Sequence, residues 1–249
     1  MEIMKQKIRK AEKRKKAIGL FLLASLIFLI LNLFVANAVE PFGAGVNSET
    51  PERAAPDSPQ GVEASAGNVT ELNINGYSLT QAWQGYFGEV TGTIMLADAG
   101  SSPLYNWSLA SPRGEVYAST SNEIAWESVS CFNITSAGAA LETSFGISSE
   151  DSDGLDETFS LNDHQSFFTN SKEFEEGQCN NVKLFGNGGV PIFDEVLLTD
   201  GINPVFTSIL RNNEAGFDGA PHDFEMLVLE NGHGTNTKST TYYFYVELE

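Results

Sequence analysis

Thr240-Thr241-Tyr242-Tyr243-Phe244-Tyr245-Val246-Glu247-Leu248 is the stretch on which the fold turns. It is almost wholly β-branched or aromatic. Side chains on a strand alternate between faces, so Tyr242, Phe244, Val246 and Leu248 share one side. That side reads as core. Tyr243 and Tyr245 then read as the outward side, and on an open sheet edge this strand offers pairing to another subunit. Runs of the same kind recur upstream at 71–74, 83–96, 105–109, 115–119, 156–161, 193–199, 205–210 and 222–229. Turn-forming clusters at 97–103, 111–114, 186–191, 200–204 and 231–237 separate them. Nowhere does a helical stripe persist beyond about two turns. The pattern predicts an all-β head over residues 68–249, a β-sandwich of jelly-roll or immunoglobulin-like type, at a length that suits one domain.

The 249 residues hold 14 Lys and Arg against 33 Asp and Glu, a formal net charge of −19. The charge is uneven. Residues 1–16 carry eight basic residues and two acids, a net of +6, which leaves −25 on everything beyond them. A body this acidic excludes binding to nucleic acid backbones, which need clustered Lys and Arg. With 41% hydrophobic and 11% aromatic residues the chain can bury a core, so wholesale disorder is excluded too.

Residues 17–36 (AIGLFLLASLIFLILNLFVA) are apolar apart from Ser25 and Asn32. As a helix they span about 30 Å, the thickness of a bilayer core. The basic leader 1–16 stays cytoplasmic, which places the bulk of the chain outside the cell. Three fates compete. The run remains a transmembrane anchor; or a signal peptidase cuts after Ala36-Asn37-Ala38, so that 17–38 is a signal segment and the protein is secreted; or a prepilin-type peptidase cuts after Lys16-Ala17 and leaves Ile18 first. Residues 39–67 hold Pro41, Pro51, Pro56 and Pro59, four glycines and a single aromatic, Phe42. They read as a disordered linker.

An exported head gives its two cysteines, Cys131 and Cys179, an oxidising environment, so they are expected to form a disulfide. Three sequons, at Asn68, Asn106 and Asn133, are candidate glycosylation sites. Residues 149–157 pack five carboxylates about Gly154. Asp151, Asp153, Asp156 and Glu157 could converge on Ca²⁺, although the spacing lacks the EF-hand register, and a solvated acidic loop is the competing reading. His164, His222 and His233 have no metal-ligand spacing among themselves. No nucleophile elbow, zinc helix or phosphate loop is present. Trp83, Trp107 and Trp126 with Tyr77, Tyr86 and Phe87 could form a sugar-stacking platform or fill the core.

A basic leader, one apolar helix, a Pro/Ser/Gly tether and an acidic β head with sequons together resemble the exported surface proteins of archaea. The leader and apolar run also resemble type IV pilin precursors, with Gly19 and Leu22 departing from that pattern. The resemblance implies a non-enzymatic, membrane-anchored cell-surface glycoprotein with a structural or adhesive role. The alternatives are a pilin-like filament subunit and a secreted carbohydrate-binding or hydrolytic protein. Expected partners are the membrane, another copy of the chain or a surface polysaccharide.

Overall fold

Short β-rich runs become short strands, and these build one large sheet with smaller pairs around it. The computed structural model describes residues 40–48, 50–109, 111–230 and 239–248. The leader, the apolar run at 17–36 and His233 lie outside the described residues. Among the described residues no helix is long and apolar enough to cross a membrane.

In chain order the strands are β1 (Phe42–Gly43), β2 (Trp83–Gly88), β3 (Gly92–Ala97), β4 (Pro103–Leu109), β5 (Gly114–Ser119), β6 (Ser130–Cys131), β7 (Phe167–Thr169) and β8 (Lys172–Phe174). β9 (Asn181–Phe185), β10 (Pro191–Thr199), β11 (Pro204–Ile209), β12 (Glu214–Ala215), β13 (Pro221–His222), β14 (Phe224–Leu229) and β15 (Tyr243–Leu248) follow. Two helices, α1 (Ile134–Ser144) and α2 (Leu155–Thr158), lie between β6 and β7. The fold is all-β.

The main sheet is antiparallel, in the order β1-β15-β5-β11-β10, with β6 and β9 both along the outer edge of β10. Its central hairpin, β10–β11, closes through a turn that Asp200 builds. Asp200 Oδ1 accepts from the amides of Ile202 and Asn203, and Gly201 adopts φ +96°, a region open to glycine. Burial alone would raise the Asp200 pKa, but these donors and the Asn203 side chain hold it below the ordinary carboxylate value. Asp194 on β10 is buried between Lys183 Nζ at 2.7 Å and Arg211 at 3.1 Å, which fastens β9 to β10. β14 pairs with β2 and packs across β10 and β11.

The main sheet is covered on both faces. On one side Leu197, Phe206, Val116 and Ala118 meet Met226, Val228 and Leu229 of β14, joined by Phe145, Leu155 and Phe159 from the segment around the helices. On the other side Val196, Leu198, Val205, Tyr117 and Tyr245 meet Trp126, Phe167 and Phe174. This corrects the reading of β15. Tyr242, Phe244, Val246 and Leu248 do pack on the first core, but Tyr245 is buried in the second and donates its hydroxyl to Ser121 O. Nor is β15 an open edge along its whole length, because Phe42 and Gly43 pair with Val246 and Tyr245.

Other expectations are revised. Residues 83–96 are two strands of different sheets. Residues 71–74 are exposed and belong to no strand. Residues 156–161 begin within the short helix α2, because Gly154 opens a turn and the buried Glu142 carboxylate accepts the Leu155 amide at 2.8 Å. α1 carries no clear signal in the sequence. Asn133 caps it by accepting from the Ser136 amide, and Ile134, Ala137, Gly138 and Leu141 face the core. That stripe follows helical spacing, but its small residues and Glu142 dilute the hydrophobic signal.

Candidate functional site

β3 and β4 pair only with each other among the described residues, and nearly every side chain on them is exposed. The register sets Ile94 opposite Trp107 and Leu96 opposite Tyr105. Directly opposed residues share a face, so Ile94, Leu96, Tyr105 and Trp107 form one apolar stripe. They are 55%, 52%, 60% and 49% exposed, and the two aromatic rings stand 4.9 Å apart, edge to face. The opposite face carries Thr93, Met95, Asn106 and Ser108, and is polar but for Met95. The Asn106 sequon therefore displays its asparagine on the side away from the stripe.

The hairpin is firmly rooted. Asp223, buried at its base, accepts the Val90 amide at 2.8 Å, and its own amide donates to Gly88 O. A side chain at Gly92 would run into Leu248 and Leu109, so the first strand enters close against β15. At the tip Asp98 Oδ1 accepts the amides of Gly100 and Ser102, and Ser101 takes φ +62°. Leu96, Ala97, Pro103 and Leu104, with Asp98 and Ser102, surround a shallow concavity of about 470 Å³. The stripe is apolar and solvent-exposed on a pre-ordered hairpin, with the Tyr105 hydroxyl and the Trp107 indole N–H as its polar atoms.

The six aromatics proposed as a platform are dispersed. Trp126 is core, Trp83 is half-buried against Phe159 and Phe206, and Tyr86 packs edge-on to Phe244. Tyr77 is exposed and donates to Ala55 O, while Trp107 belongs to the hairpin. Phe87 is exposed beside Phe217 and His222.

Of the four residues expected to bind Ca²⁺, two converge. Asp156 and Glu157 meet Glu142, which comes from α1, with oxygens within 4.8 Å of one another. Asp151 instead accepts the Ser148 amide, and Asp153 accepts the Thr80 hydroxyl at 2.6 Å. The hydrogen bond that protonated Glu157 donates to the Asp156 carboxylate, with smaller help from like charge, raises the Glu157 pKa. Three carboxylates so placed could hold a hard cation. Glu142 lies outside the acidic run, and only the folding of α1 against α2 brings it in.

Cys131 and Cys179 form a disulfide. Asn68, Asn106 and Asn133 are all exposed. His164 is fully buried, and its Nε2 accepts the Cys179 amide at 3.0 Å. His222 Nε2 lies 2.9 Å from Asp218 Oδ1. The Ala220 amide, and after it His222, lowers the Asp218 pKa. Neither of these histidines hydrogen-bonds a serine or threonine hydroxyl among the described residues. The chain matches no protein-family model, no curated protein and no solved structure.

Proposed function

We propose that this chain is a cell-surface protein with a structural or adhesive role, anchored in the membrane by residues 17–36 and making its contacts through the β3–β4 hairpin. The one-sided hairpin carries the reading: Ile94, Leu96, Tyr105 and Trp107 share a face that is about half exposed. Soluble proteins seldom keep such a face unless something docks on it. The disulfide suits an oxidising compartment. The acidic body keeps heads soluble. Exposed Asn68, Asn106 and Asn133 suit glycan attachment. The head is a β-sandwich in the finer reading, with the β2–β14 pair as the layer opposing the main sheet.

N-terminal sequencing of the protein from native membranes tests the anchoring. Met1 is the expected first residue. Ile18 would make the chain a filament subunit, and Val39 a freely secreted protein.

A further inference from the structure

We propose that the apolar face of the β3–β4 hairpin docks on the same face of a second copy of this chain. The inference rests on the hairpin being a contact surface, and it names the occupant.

Charge selects the partner. Beyond the leader the chain carries −25, yet within 92–109 the one formal charge is Asp98. Both strands of the hairpin are therefore uncharged. The carboxylate of Asp98 is occupied at the tip by the amides of Gly100 and Ser102. Two bodies of like charge repel wherever their acids face each other. The neutral hairpin, projecting from its base at Val90 and Gly92, is a place where two such copies can touch without that cost. A basic partner would find nothing to pair with there, and a polysaccharide, rich in hydroxyls, would find only the Tyr105 hydroxyl and the Trp107 indole N–H to hydrogen-bond.

Geometry fits a twofold contact. In an isologous pair one patch meets itself. Ile94 and Leu96 on one strand and Tyr105 and Trp107 on the other give each copy aliphatic and aromatic halves to interleave. The sequon asparagine, Asn106, lies on the reverse face, where a glycan would not obstruct the contact. A large apolar or aromatic side chain buries on the order of 200 Å² in full. Four that are about half exposed then offer roughly 400 Å² per copy, or about 800 Å² per pair, the size of a weak, transient contact. The pairing is weak and reversible, and copies held in one membrane would reach it through their raised local concentration.

The test uses the full chain in neutral detergent, followed by sedimentation velocity from low to high micromolar concentration. Wild type is expected to pass from monomer to dimer. The double variant Leu96→Asp/Trp107→Asp is expected to dimerise at least about ten-fold more weakly. Met95→Asp, on the polar face, is expected to dimerise as wild type does. Circular dichroism checks the fold of each variant. Should the double variant misfold, radical footprinting of wild type decides: Tyr105 and Trp107 are expected to become protected as dimer forms. A wild type that stays monomeric overturns the proposal. So does a folded double variant that dimerises like wild type, which would put the contact elsewhere. Quenching of Trp107 emission by brominated phosphatidylcholine in proteoliposomes, absent in Trp107→Phe, would also overturn it in favour of lipid. Adhesion of native cells carrying the double variant separates the two claims. Lost adhesion with no dimer in solution keeps the hairpin as contact surface and removes only the second copy; unchanged adhesion removes both.

Discussion

Glu195 places a carboxyl group inside the core. It is fully buried on β10; Oε2 accepts the Leu227 amide at 2.8 Å, and Oε1 has no hydrogen-bond partner among the described residues. Burial drives its pKa well above the ordinary value, and the Leu227 amide opposes this only in part. The sign of the pH effect follows. Below about pH 4.3 folded and unfolded chains both hold the proton. Above it the unfolded chain releases the proton while the folded chain keeps it, so stability falls as pH rises until the raised folded value is reached. One such proton changes stability by at most about 1.4 kcal/mol per pH unit. Glu195→Gln removes the titration. Urea midpoints at pH 5 and pH 8 are expected to lie closer together in the variant, and equal differences in both proteins would count against a protonated Glu195. At this scale the sequence is a partial guide. A period-two pattern identifies Tyr242, Phe244, Val246 and Leu248 as one face, but it does not say that a second layer covers the other. Tyr245 and Glu195 are buried because the sheet has two covered faces, which is a property of the sheet and not of either strand.

The segment from Cys131 to Cys179 carries α1, α2 and the β7–β8 hairpin, and its ends are stapled. The cysteines are separated by 48 positions, Cys131 ends β6, and the Cys179 amide is held by His164 just before β9. A loop of this size is where a cross-link restricts the unfolded chain strongly. Cys131→Ala/Cys179→Ala is expected to lose about 2–4 kcal/mol in urea unfolding. A loss below about 1 kcal/mol would mean that packing of Phe159, Phe167 and Phe174 orders the segment unaided. Elements of this segment are also the least legible ones. β6, β7 and β8 are two or three residues long, too short to show alternation. α1 hides its stripe behind Gly138 and Glu142. In contrast β5, β10, β11 and β15 have six to nine residues rich in branched and aromatic side chains, and each stands out in the sequence. β4 stands out equally, yet Tyr105 and Trp107 face solvent. Alternation marks a strand, and only the tertiary structure tells a core face from an exposed one.

At the scale of the molecule, an acidic body is joined to a hairpin that is neutral along both strands, and a basic, apolar N-terminal segment precedes both in the sequence. The proposed function puts the β head outside the cell and residues 1–16 within. Protease treatment of intact native cells tests that placement most directly. The account predicts that the head is released or degraded from unbroken cells, with Cys131 and Cys179 oxidised in any released fragment. A head that survives on intact cells and is cut only after lysis would contradict it.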